Sequence, residues 1–269
     1  MRLLFRLLLL VPLLSACEPR TPPVAPKFEA SPPKAFTETA DDAVGTREDG
    51  LGLAVGVVPP SFEIRDFRGE PFSSAKLSDA DTLVVFYRGG WCPYCNFQIR
   101  ELSQSHEKFE ALGVSLVAIS VDRADAAAVT QRAYDVPFPV LSDPDLNAHE
   151  AFNVVLQLGS VGVAGLAAYG HDIKKWSGKD HHKMAVPAVF LVRDGKVAWA
   201  HVARDYKTRP STEHSGSSPR PEGLEHDREQ QVGLLSLVGH PGLEPGANGS
   251  RTQLPRMRNP LDLTIPRIT

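Results

Sequence analysis

Cysteine is scarce in this chain, which has three among 269 residues. Small exported scaffolds that lack a core carry several bridges, so three thiols exclude a disulfide framework. A four-cysteine zinc site is excluded too, because no second closely spaced pair accompanies Cys92 and Cys95. Charge of one sign is also missing: 29 Lys and Arg face 32 Asp and Glu, a net of -3. Without a basic excess there is no call for nucleic acid, and without an acidic excess none for a solvated tail. No internal repeat is present. No apolar run reaches the roughly 20 residues a spanning helix needs. What remains is a hydrophobic content of 42%, enough for one sizeable domain with extensions or for two small ones.

At the N-terminus, Arg2 and Arg6 flank a leucine-rich run that ends in Leu14-Ser15-Ala16-Cys17. A positive start, a short apolar stretch and small residues at a cleavage point read as an export signal over 1–17. Leu-Ser-Ala-Cys resembles the bacterial lipobox, which implies that Cys17 becomes the lipidated first residue of the mature protein. The expected location is a bacterial membrane, with the chain facing the periplasm or the cell exterior. Residues 18–58 are a tether and lead-in. Pro19, Pro22, Pro23, Pro26, Pro32 and Pro33 stiffen its first half, and 35–58 read as a short helix followed by a Gly-containing approach.

Compact patterning runs over 59–211. Phe62, Ile64 and the turn Arg68-Gly69-Glu70 suggest a short strand pair. Thr82 to Tyr87 is a continuous apolar, β-branched run, as expected of a strand buried on both faces. A helix is predicted from Pro93 to about Leu112, a strand over 114–121 and a helix over 124–134. A short strand at 138–141 and a short helix at 147–152 follow. Residues 153–183 form a Gly-containing insertion without assigned elements. Ala188–Val192 and Lys196–Val202 flank Asp194-Gly195, a strong hairpin signal. The pattern predicts an α/β domain with a central mixed sheet flanked by helices. Gly-, Ser- and Pro-rich composition then makes 212–269 an irregular tail.

The chemistry concentrates in Trp91-Cys92-Pro93-Tyr94-Cys95, between a buried strand and a helix. Cys92 falls at the helix N-cap and Pro93 in the first turn, where a missing N–H costs nothing. Unpaired N–H groups and the helix dipole favour an anion there, so a thiolate is stabilised. Cys95 lies one turn on, close enough to resolve a mixed disulfide formed by its partner. Trp91 shields one side. Ile99, Leu102, His106, Phe109 and Gly113 share one helical stripe, which makes His106 a packed or edge histidine rather than a base. Val186-Pro187, just before the late strand, is a candidate cis peptide.

With Phe86-Tyr87-Arg88-Gly89-Gly90 before the pair, and Val186-Pro187 and Asp194-Gly195-Lys196 after it, residues 55–211 resemble the thioredoxin-like superfamily. More narrowly, they resemble the peroxiredoxin-like branch of the alkyl hydroperoxide reductase/thiol-specific antioxidant family. The resemblance implies a thioredoxin-like fold and a redox-active Cys92–Cys95 disulfide, with no other cofactor. Two carry-overs compete. The thioredoxin pattern makes Cys92 the nucleophile and Cys95 the resolver. The peroxiredoxin pattern Pro-x-x-x-Thr-x-x-Cys-x-x-Gln/Glu places Arg88, Cys92, Cys95 and Gln98 in its four positions, which makes Cys95 peroxidatic.

The family's catalytic Arg commonly precedes the late strand, where this chain has Val186; Arg88 and Arg193 are the available substitutes. That departure favours a membrane-tethered thiol-disulfide oxidoreductase, with Cys92 attacking and Val186-Pro187 presenting backbone to an extended substrate. A thiol peroxidase acting on hydroperoxides is the alternative. Partners are then a protein disulfide or a hydroperoxide, an unidentified thiol reductant and the membrane. A copper-handling module built from Cys92, Cys95 and His171 or His182 is the third reading.

Overall fold

The computed structural model describes residues 21–24, 32, 33, 37–39 and 50–210. The signal and lipobox at 1–17 and the tail at 212–269 lie outside them. In chain order the elements are β1 (Thr37–Thr39), β2 (Glu63–Asp66), β3 (Pro71–Ser73), β4 (Asp81–Phe86), α1 (Pro93–Gln104), α2 (His106–Ala111), β5 (Val114–Ser120), α3 (Ala124–Ala133) and β6 (Val140–Ser142). There follow α4 (Asn147–Ala151), β7 (Val155–Gln157), α5 (Ser160–Ala168), α6 (Ile173–Ser177), β8 (Lys183–Ala185), β9 (Ala188–Arg193), β10 (Lys196–Val202) and β11 (Thr208–Pro210).

The apolar run at 82–87 becomes β4, an interior strand of a seven-stranded sheet ordered β10-β9-β4-β5-β6-β2-β3. β4 pairs parallel with β5 and antiparallel with β9, so the sheet is mixed as expected. Successive side chains of a strand point to opposite faces. Leu83 and Val85 therefore join one buried cluster with Cys92, Cys95, Ile99 and Leu102. Val84 and Phe86 join a second cluster, with Phe152 and Phe190, on the other face. The hairpin at Asp194-Gly195 forms as predicted: both residues have positive φ (49° and 72°), as a two-residue turn between right-twisted strands demands.

Four expectations change. The helix predicted over 93–112 is broken at Ser105 into α1 and α2. Ser103 Oγ donates to the Ile99 carbonyl at 2.8 Å, a side-chain bond of the kind that bends helices. Residues 37–39 are a strand rather than a helix, because β1 finds a parallel partner in β11. The domain begins before residue 59: Gly52 N–H donates to Asn153 O, and Gly56 and Val57 bond to Val197, fixing the lead-in to the β10 edge. The insertion at 153–183 is ordered, with β7 and β8 paired antiparallel and α5 and α6 between them.

Candidate active site

The end of β4 aims the chain into a tight loop, and α1 starts directly after it. Gly89 has φ +144°, and a Cβ there would lie 2.5 Å from Trp91 Nε1 and 2.8 Å from Asp122 Oδ1. Gly90 is clamped by its backbone: its N–H donates to Asp122 Oδ2 at 2.8 Å, and its carbonyl accepts from Asn96 Nδ2 at 2.7 Å. A Cβ at Gly90 would strike Thr130 Oγ1 and come within 2.7 Å of the Trp176 ring. Only glycines let the loop lie this close to β5, α3 and α6.

This loop delivers Cys92 to the N-cap of α1 and Pro93 to its first turn. The two Sγ atoms are 2.8 Å apart, closer than a van der Waals contact but longer than the roughly 2.05 Å of a disulfide. Neither sulfur is exposed (1% and 0%). Trp91 is buried beside them, Pro93 is exposed, and the Tyr94 ring meets Tyr206 edge-on at 5.3 Å. The Arg88 guanidinium lies over the Trp91 ring (4.9 Å) and the Tyr206 ring (4.6 Å), with Nε donating to Met184 Sδ at 3.2 Å.

The decisive group comes from far away in sequence. Arg209, on β11, is 2% exposed. One of its terminal nitrogens lies 3.3 Å from Cys95 Sγ, and Nε donates to Gln98 Oε1 at 2.7 Å. The other terminal nitrogen donates to the carbonyls of Tyr206 and Thr208, both at 2.7 Å. Gln98, placed after Cys95 by sequence reasoning, therefore orients the arginine that faces Cys95.

These contacts split the pair electrostatically. Burial pushes both thiols up. At Cys95 the hydrogen bond from Cys92, the charges of Arg209 and Arg88, and the Arg88 backbone N–H outweigh burial and bring the thiol down to about 6. Cys92 is held well above the ordinary thiol range by burial and by its hydrogen bond and charge coupling to Cys95, with Arg88 and Arg209 opposing. The balance of charges favours the thiolate at Cys95 and the proton on Cys92. The N-cap position speaks for Cys92, whereas Cys92 makes no side-chain cap hydrogen bond and Cys95 faces two arginines.

Asp122 lies beneath the same loop, fully buried, and burial raises its carboxyl to about 7 despite the Gly90 N–H. An acid raised in the folded state supports stability while protonated, and that support is lost as pH climbs from about 4 through 7. Asp122→Asn keeps an acceptor for Gly90 and removes the charge. Its melting temperature should exceed that of the parent above pH 7, with the gap closing near pH 4. Thermal scans across that range check this; a gap independent of pH would count against it.

Three site expectations do not hold. The Val186–Pro187 bond is not cis. Nor is this backbone free for a substrate: Val186 N–H donates to Val154 O at 2.8 Å, and Pro187 O accepts from Ala203 at 2.9 Å. Val186 packs in the cluster on the face away from the cysteines. Arg193 is not a substitute for the family's arginine, being paired with Asp81 (2.7 Å) at the opposite end of β4. His106 is a packed edge residue, stacked on Phe138 at 5.9 Å. The insertion histidines go to separate partners: His171 to the Trp91 ring (5.0 Å), His181 to Pro144 O (3.1 Å) and His182 to Asp180 (3.4 Å). No group of three or more His, Cys, Asp or Glu that could hold a metal ion occurs among the described residues. Sequence reasoning missed Arg209, Asp122, Met184 and Tyr206. Each is a single residue without a motif around it, brought in by sheet topology.

Comparisons with known proteins place the chain among thiol redox enzymes by similarity. Chloroplastic peroxiredoxin Q of Sedum lineare is 34% identical over 88 residues, 33% of this chain and 47% of that one. The thiol-disulfide oxidoreductase ResA of Bacillus subtilis (strain 168) is 26% identical over 103 residues, 38% of this chain and 57% of its own. The chain thus spans about half the length of the curated relatives it matches. Among solved structures, a peroxiredoxin-like protein from Aquifex aeolicus aligns with TM-score 0.48 and 17% identity, over 62% of this chain and 86% of that one. The AhpC/TSA family pattern matches residues 55–200, from the docked lead-in to the end of the mixed sheet and including the Cys loop. On that match, which spans more than half of its length, the chain belongs to the AhpC/TSA family.

Proposed function

We propose that this chain is a thiol-dependent peroxidase in which Cys95 attacks a hydroperoxide and Cys92 resolves. The observation that carries this reading is the buried Arg209 on Cys95, oriented by Gln98. Peroxide cleavage needs a thiolate together with donors aimed at the charge that develops on the departing oxygen. Cys95 supplies the first, at about 6, and the Arg209 guanidinium supplies the second. The Cys95 thiolate displaces alkoxide from ROOH; the alkoxide takes a proton and Cys95 becomes a sulfenic acid. Cys92, already 2.8 Å away, then attacks that sulfur, water leaves, and a Cys92–Cys95 disulfide forms. An external dithiol returns the pair to its starting state. Burial of both sulfurs favours a small oxidant over a protein disulfide, which requires an accessible thiolate. The tether and the lipobox at Cys17 add a location: a membrane-anchored enzyme facing an extracytoplasmic space.

Disulfide exchange by the same pair is a second reading, favoured by Trp-Cys-x-x-Cys itself and by the similarity to a protein named as a thiol-disulfide oxidoreductase. Rapid mixing with hydrogen peroxide separates the two. Cys95→Ser should lose the first turnover entirely, while Cys92→Ser should keep it and stop at a sulfenic acid that dimedone traps. The rate should rise with pH through about 6 and level off above it, since the thiolate forms as the proton leaves. The reverse assignment, with Cys92→Ser losing the first turnover and Cys95→Ser keeping it, would sink this peroxidase.

A further inference from the structure

Helix α5 is apolar around its whole circumference, with no charged residue, yet none of its residues is buried. A helix of that composition belongs in a core or against another apolar phase. Leu158 and Leu166 lean on the cluster that holds the cysteines. The outward side carries Val161, 86% exposed, and ends at Tyr169, 82% exposed. The stretch that follows it in sequence carries Lys174, Lys175, Lys179 and Lys183; Lys174 pairs with Asp180 at 2.8 Å and Lys179 with Asp145.

The course of the N-terminal segment says what covers this face. The Arg123 guanidinium donates to Lys175 O on α6 and, at 3.0 Å, to Thr21 O. Thr21 stands four positions after Cys17. Four extended residues reach at most about 14 Å. A lipid on Cys17 therefore brings a bilayer surface within about that distance of Thr21, which shares the Arg123 guanidinium with α6, the next helix after α5.

We propose that α5 docks on the bilayer that holds the Cys17 lipid, with Val161 and Tyr169 in the headgroup layer. Tyrosine suits such an interface, being apolar in body and polar at its tip. The anchor alone leaves the domain free to tumble, and α5 gives it one orientation. The ring of His171, three residues after α5, lies tilted at 5.0 Å from that of Trp91 beside the cysteines, so docking sets the Cys loop next to the lipid surface. This rests on the reading of Cys17 as lipidated.

The test uses the full chain, lipidated in a bacterial host and reconstituted on phosphatidylethanolamine/phosphatidylglycerol vesicles. Acyl mass on Cys17 and flotation with vesicles report the anchor. Amide hydrogen exchange over 160–169 reports docking, with α3 as the internal reference. The expected result is lipid present, flotation, and exchange in α5 slowed about tenfold on vesicles while α3 is unchanged. In V161E/Y169E, whose two sites are solvent-exposed and outside the redox machinery, flotation should persist and the protection should vanish. Lipid and flotation without α5 protection would overturn docking and leave the anchor standing. Absence of lipid on Cys17 would overturn both. Protection that appears without vesicles and grows with protein concentration would assign the face to a second copy and reject the bilayer.

Discussion

Replacing Arg209 with alanine should slow oxidation of Cys95 by hydrogen peroxide at pH 7 by about 10²–10³-fold, the loss seen when a donor to a developing oxyanion is removed. Two effects combine. The guanidinium lowers the Cys95 thiol, so its loss shifts the midpoint of the pH–rate profile upward from about 6 and reduces the thiolate present at neutral pH. It is also the buried donor at the sulfur where the peroxide oxygen departs. A higher pH should restore the first contribution and not the second, so the rate at pH 9 should stay well below that of the parent. Arg209→Lys should recover part of the rate by restoring charge without the fork that spans Gln98 and Cys95. Removing Arg209 also strands the carbonyls of Tyr206 and Thr208, so unfolding midpoints should be measured alongside. A folded R209A variant that kept both the parental rate and the parental pH midpoint would leave the arginine only a structural role.

Phe152→Ala should cost about 3–5 kcal/mol, the range for removing a fully buried aromatic ring. Phe152 is 0% exposed, with the Phe62, Phe86 and Phe190 rings at 6.1, 5.1 and 5.0 Å. These neighbours come from the β2 lead, from β4 and from β9, so the cavity would open where three separate segments converge. The loss is a large part of the roughly 5–15 kcal/mol that holds a domain together, and the melting temperature should fall by about 10 °C. The cysteines sit in the cluster on the other face of the sheet. Protein that remains folded should therefore react with peroxide at the parental rate. Urea unfolding gives the first quantity and rapid-mixing kinetics the second. A variant with normal stability and a slowed reaction would contradict the separation of the two clusters.

Much of this protein was legible locally. The run at 82–87 specified a strand buried on both faces because nothing polar interrupts it, and Asp194-Gly195 specified a hairpin because both residues accept positive φ. Cys92 and Cys95, one helical turn apart behind a strand, had to be neighbours whatever the rest of the chain did. Gln98 was legible only through the resemblance to the peroxiredoxin pattern. Where the sequence was silent, the determining contact was distant. Residues 37–39 have no strand signal of their own and become β1 only because β11 offers an edge. The insertion at 153–183 is ordered by β7 pairing with β8 and by α6 packing under the Cys loop.

The sequence by itself determined the strand–loop–helix frame and the identity of the redox pair, since both depend on residues within a few positions of each other. Only the tertiary structure brings in the groups that favour charge on one sulfur over the other. That choice is an electrostatic balance between burial, which disfavours a thiolate, and hydrogen bonds and positive charges, which favour one. The largest contribution from outside the loop comes from Arg209, 114 residues beyond Cys95.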